Sequence, residues 1–162
     1  DGAAHALDQL YPSGAPGGVT TVAADISLVA CLPDIVVSTR DARGVVPDTA
    51  SVEQLVETVG WAATLTTGMH RSDPELVGEG MNDTVVTPAR ANLIEGYESV
   101  QEAALSAGAT GVTISGAGPT VIAACYDGDR RSVGTAMIDA FERVGVDARV
   151  YQTEIGDGAT VF

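Results

Sequence analysis

The sequence predicts an α+β fold: a ferredoxin-like sheet of split β-α-β type with extra helices in its first crossover. Three observations predict it. Apolar stretches with strand character and helical repeats alternate in the order strand, helices, strand, strand, helix, strand. Two of the strands flank a short loop of small residues, as antiparallel neighbours do. And 162 residues, 45% of them hydrophobic, are enough to bury one core. Helices laid on one face of an antiparallel sheet are the natural packing for this order.

Each element has its own signal. Residues 1–18 read as a loop segment ending in Pro12-Ser13-Gly14-Ala15-Pro16-Gly17-Gly18, and residues 19–162 as the folded domain. Strands are expected at 19–24, 27–31 and 34–38, followed by a polar loop at 39–48 that carries Arg40 and Arg43. Ser51 and Gln54 form a capping-box pair, and Val52, Leu55, Val56, Val59, Ala62, Ala63 and Leu65 recur at helical spacing to about residue 66. Asp73-Pro74 opens a second helix that ends near residue 82. Pro88 opens a third, which runs to Ala107 and is stopped by Gly108. Strands at 112–114 and 121–125 follow, then a helix from Asp129 or Ser132 to Gly145. A strand at 147–153 and a short one at 159–162 close the chain.

Charge excludes several functions. There are 22 acidic residues against 8 basic ones, and every basic residue is arginine. A surface this acidic repels itself at low salt and stays soluble when charges are screened, which with few aromatics (4%) points to a high-salt, halophilic cytoplasm. Nothing is available to neutralise a run of phosphates, so nucleic acid is not an expected partner. With no lysine, neither a Walker-type phosphate loop nor a Schiff-base enzyme is allowed. No apolar run reaches the length of a membrane span, and the first residues lack the pattern of a signal peptide. Cys31 and Cys125 lie far apart in apolar runs and read as buried thiols in a reducing, cytoplasmic setting.

The loop Ser115-Gly116-Ala117-Gly118-Pro119-Thr120 is the one stretch that suggests a site. It is not a dinucleotide fingerprint, because it lacks the third glycine and leads into a strand rather than a helix. Its two glycines permit backbone conformations that aim successive N–H groups into one concavity, and Ser115 and Thr120 add hydroxyls. The competing reading is a tight hairpin with glycines for geometry alone. Arg43 follows a strand, and Arg90 falls in the expected first turn of a helix, where the macrodipole favours an acid instead. A cation there suits a bound anion, and arginine can grip a carboxylate with two hydrogen bonds. A salt bridge to one of the many surface acids is the alternative.

At these residues a resemblance enters. GVTISGAGPTVIAAC (111–125) resembles the third conserved motif of the GHMP kinase superfamily. Three further blocks resemble its homoserine kinase branch: residues 32–69, residues 80–111 with the pattern Asp-x6-Arg-x2-Leu-Ile-x-Gly-Tyr, and residues 140–162. The resemblance implies phosphoryl transfer from ATP, with Mg2+, to the hydroxyl of L-homoserine in threonine biosynthesis. It implies that Arg43 and Arg90 hold the substrate carboxylate, that Thr39 lies where the loop closes over the site, and that Ser115, Gly116, Gly118 and Thr120 form the phosphate-side loop. His5 and Asp8 stand near a family His-x-Asp-Asn segment, but the spacing is off by one and the asparagine is missing. The family's main ATP motif, Pro-x-x-x-Gly-Leu-Gly-Ser-Ser-Ala, does not occur in these 162 residues. The chain is therefore expected to be a C-terminal half that is inactive without an N-terminal one, with a homodimer left open. Another kinase of the superfamily, or a stand-alone ligand-binding or regulatory module, remain the alternatives.

Overall fold

The computed structural model describes residues 26–154; the expectations for residues 1–25, including His5, Asp8 and the strand at 19–24, and for 159–162 fall outside the described residues. Strand β1 (Ile26–Pro33) is followed by five helices: α1 (Thr39–Gly44), α2 (Val52–Arg71), α3 (Pro74–Gly80), α4 (Val86–Ala91) and α5 (Tyr97–Ser106). Strands β2 (Ala109–Ile114) and β3 (Val121–Tyr126), helix α6 (Arg130–Arg143) and strand β4 (Ala148–Glu154) complete the fold. The sheet order is β2-β3-β1-β4, and every neighbouring pair is antiparallel. That is the split β-α-β arrangement the element order requires.

The two faces of the sheet bury different helices, which follows from strand alternation. Val29, Cys31, Val112, Ile114, Val121 and Ala123 point to one face, where they meet Val100 and Ala104 of α5 and Val133, Met137 and Phe141 of α6. Phe141 and Met137 are fully buried. Each such side chain contributes about 1.5–3 kcal/mol of transfer free energy. The opposite face carries Ile26, Leu28 and Ala124, which pack on Val77 of α3 and on Leu65 and Met69 of α2. Helices therefore lie on both faces, not one, because the extra helices of the first crossover cross to the second side.

Glycines make that second layer thin enough to close. A Cβ on Gly78 of α3 would collide with the carbonyl of Thr110 in β2, and one on Gly111 would strike the backbone of Gly78. A Cβ on Gly68 of α2 would stand 2.6 Å from the Val77 nitrogen. Real Cβ contacts are not that short, so helix and strand meet backbone to backbone.

Three expected elements differ. Residues 35–38 form no ladder: after the Asp34 N–H donates to the Asp147 carbonyl (2.7 Å), the chain leaves the sheet with Val36 fully exposed. The polar stretch after it is helical, because the Ser38 hydroxyl accepts the Asp41 N–H (3.0 Å) and caps α1. The single helix expected from Pro88 to Ala107 is two, α4 and α5, separated by a turn that ends at Gly96 with φ +83°. Glycine is required there, since the left-handed region penalises a side chain and a Cβ would also stand 2.7 Å from Val144 Cγ2. Cys31 and Cys125 are buried free thiols as expected, pushed up to about 12 and about 11 respectively, chiefly by burial.

Candidate active site

The site is built where α1, the start of α4 and the β2–β3 loop meet. Asp83 sets the position of α4. Its carboxylate accepts the N–H groups of Val85 (2.8 Å), Val86 (3.0 Å) and Thr87 (2.7 Å), satisfying the donors that a helix start leaves free. Partial burial acts to raise its pKa, but these hydrogen bonds outweigh burial and hold it below the ordinary carboxylate value. Pro88 falls in the first turn of α4, where its missing N–H costs nothing. Thr87 Oγ1 lies 3.1 Å from Thr113 Oγ1, which fastens α4 to strand β2.

Arg90 is then presented from the last turn of α4, not from the first turn of a helix. Asp83 starts the helix two residues before Pro88, and this moves Arg90 to the opposite end. A cation at a helix C-terminus agrees with the macrodipole, so the argument that its position was anomalous does not hold. Its contacts carry more information. Arg90 Nε donates to the Ala42 carbonyl at 3.0 Å, and Nη1 donates to the Gly116 carbonyl at 2.7 Å. One guanidinium thus joins helix α1 to the glycine loop. Two of the five N–H donors of an arginine are used in this way, and among the described residues no partner takes the other three.

The glycine loop is a closed turn. The Ser115 N–H donates to the Thr120 carbonyl (2.8 Å) and the Gly118 N–H to the Ser115 carbonyl (3.0 Å). Gly116 and Gly118 both have positive φ, +59° and +83°, and the Gly118–Pro119 peptide is cis. The turn consumes two of the loop's donors, and Pro119 has none. Among the described residues the N–H groups of Gly116, Ala117 and Thr120 are not used by the turn, fewer than the loop's composition suggests. No Cβ would meet anything within 4 Å at Gly116, so that corner is open.

Arg43 and Thr39 are four residues apart on α1 and lie on the same side of that helix. Both are exposed, whereas Ala42 is fully buried and anchors the helix. The Arg43 carbonyl accepts the Val46 N–H (3.3 Å), while its side chain has no hydrogen-bond or ion-pair partner among the described residues; it follows Ala42, whose carbonyl Arg90 holds. The structure therefore brings together Arg90, the α1 backbone and the glycine loop, with Arg43 and Thr39 on the same short helix. His5 and Asp8 lie outside the described residues.

Two residues of this corner were not singled out from sequence. Asp83 stands at the head of the Asp-x6-Arg spacing, and its role as a cap was the signal available. Tyr97, at the start of α5, is 5% exposed, and its phenol is pushed up to about 12 by burial and then by the charge of Asp83. It stays neutral at any ordinary pH.

The same topology is that of a known class of domain, the C-terminal part of the GHMP kinases. The family model for the C-terminal part of GHMP kinases matches residues 65–143. A homoserine kinase of Haloarcula marismortui is 77% identical over 145 residues, covering 90% of this chain and 50% of that protein. One from Natronomonas pharaonis is 63% identical over 168 residues, covering 99% of this chain and 57% of that protein. The crystal structure of a homoserine kinase from Cytophaga hutchinsonii superposes with a TM-score of 0.79 at 34% identity, covering 83% of this chain and 43% of that one. The chain belongs to the GHMP kinase family, in the fold of its C-terminal domain. Within that family its sequence is that of the homoserine kinases. It spans about half the length of the curated relatives it matches.

Proposed function

We propose that this chain supplies the substrate-carboxylate and phosphate-side half of a homoserine kinase, which moves the γ-phosphoryl group of ATP to the side-chain hydroxyl of L-homoserine. The observation that carries this reading is the Arg90 guanidinium held between the Ala42 and Gly116 carbonyls. It fixes the distance between an arginine-bearing helix and a loop with N–H groups to spare. Residues 19–162 act as one domain in this reading, with residues 1–18 leading in from the other half.

Each group then has a role. The free N–H donors of Arg90, with Arg43, grip the carboxylate of the amino acid, so that its hydroxyl is aimed at the phosphorus. Thr39 closes the α1 side of that pocket. The N–H groups of Gly116, Ala117 and Thr120, with the Ser115 and Thr120 hydroxyls, face the transferring phosphate, where preorganised donors act on developing charge. The described part of the donor set fits an anion: Arg43, Arg90 and the loop supply cationic and N–H groups. ATP supplies the phosphoryl group, and Mg2+ neutralises phosphate charge in transfers of this class. Among the described residues no group of three or more His, Cys, Asp or Glu is placed to hold a metal, so no residue is named for Mg2+.

The test is kinetic and uses the full-length enzyme. Arg43→Ala and Arg90→Ala should each raise the homoserine KM by roughly tenfold or more while the KM for ATP moves little. An unchanged homoserine KM in both variants, measured on protein that melts as the parent does, overturns the assignment. A panel of serine, threonine, mevalonate and galactose as acceptors decides between homoserine and another alcohol.

A further inference from the structure

Helix α2 leaves an apolar stripe uncovered. Val52 is 79% exposed, Leu55 59%, Val56 65% and Val59 61%, and Ala62 and Ala63 continue the line. The spacing, three and four residues apart, is that of a single helical face. The C-terminal half of α2 is already in use, since Leu65 and Met69 pack under the sheet. In a chain of net charge −14, the outer face of α2 should carry acids, yet between Val52 and Ala63 only Glu53 and Glu57 are charged. An apolar stripe of this kind marks a surface that something covers.

We infer that this stripe seats the half of the full-length protein that the relatives possess and this chain does not span. Three observations select that occupant over a second copy. The relatives are about twice as long, at 50% and 57% coverage, so a polypeptide of similar size exists to cover the stripe. The four exposed side chains offer on the order of 400 Å2, about half of the ~800 Å2 per partner that a stable homodimer buries but within the range of contacts between domains of one chain. The stripe also lies at the same end of the molecule as the candidate site. Gln54 Nε2 donates to the Thr84 carbonyl (3.4 Å) and the Thr84 hydroxyl to Glu57 Oε2 (3.1 Å), which ties the first turns of α2 to the segment that starts α4 and presents Arg90. A body seated on Val52 to Val59 stands beside the loop and arginines, where the missing nucleotide-binding part has to be.

The inference rests on the two-part reading above, but its test needs no catalysis, so an error about the acceptor alcohol leaves it standing. This chain is mixed in concentrated KCl with the separately produced half of the Haloarcula marismortui relative that it does not match, and followed by sedimentation velocity. A one-to-one complex is expected, weakened at least tenfold by Leu55→Asp combined with Val59→Asp and unchanged by Leu105→Asp on α5. Circular dichroism melts confirm that the variants fold, as exposed positions should allow. A complex indifferent to the α2 variant, no complex with a folded half, or a homodimer that the α2 variant abolishes would each overturn the inference. Should the separate half not fold, Val56→Cys is read instead. Maleimide should label it at least tenfold more slowly in the two halves fused as one chain than in this chain alone, and equal rates count against the seat.

Discussion

Asp83 shows how much one carboxylate does for this site. It closes three N–H groups at the start of α4, and through that helix it sets the height at which Arg90 reaches Ala42 and Gly116. Its pKa is held below the ordinary value by those hydrogen bonds, against the opposing effect of burial. A carboxylate with a depressed folded-state pKa stabilises fully above the unfolded value of ~3.9, and that contribution is lost as pH falls through the folded value. Asp83→Asn keeps an acceptor but removes the charge, so it should lower stability by about 0.3–1 kcal/mol at neutral pH. Parent and variant should converge as the pH falls through the depressed folded-state value. Thermal melts from neutral to acid pH in constant high salt check it; a gap that persists unchanged in acid refutes the charged-cap account. Arg90 was legible in the sequence as an anion-binding candidate, but for a reason the structure removes. Its helix begins at Val86, so the residue lies at the end that favours a cation. What could not be read was the pair of backbone carbonyls it holds, because Ala42 and Gly116 are 48 and 26 residues away in the chain.

Helices and strands meet here through glycines that carry no turn. Gly78 and Gly111 let α3 lie directly on β2, and the Cβ of an alanine at either position would occupy backbone. Overpacking at such a contact costs about 1–3 kcal/mol, more where only backbone can yield. Gly78→Ala should lower the unfolding free energy by at least that amount and so lower the denaturation midpoint, while Gly44→Ala, with nothing within 4 Å of its Cβ, should not. Guanidinium unfolding in KCl is the measurement, and equal midpoints would show that the layer can slide apart. The same elements show what local pattern can and cannot give. The capping box at Ser51 and Gln54, the Asp73-Pro74 start and the strands around the glycine loop were legible, because their signals are short-range. The break between α4 and α5 was missed: its local signal is the single glycine Gly96, and the left-handed φ it needs is not visible in apolar spacing. The strand expected at 34–38 has the right alternation, with Ile35 and Val37 half-buried and Val36 exposed, and lacks only a neighbour to pair with. Pairing is a long-range fact, and alternation alone does not supply it.

For the whole molecule the deciding quantity is charge. Eight arginines cannot pair with 22 carboxylates, and the ion pair between Arg130 and Asp127 (2.7 Å) is on the surface, where such contacts contribute little. The folded chain gathers net −14 onto one small surface, and the unfolded chain spreads it out, so repulsion favours unfolding until salt screens it. The screening length falls from about 10 Å at 0.1 M to about 3 Å at 1 M. Beyond that, neighbouring carboxylates no longer interact. If screening restores about 3 kcal/mol, the melting temperature rises by roughly 10 °C, and most of the rise falls below about 1 M KCl. A melting curve that instead climbs linearly to saturation would assign the salt dependence to strengthened apolar burial rather than to charge.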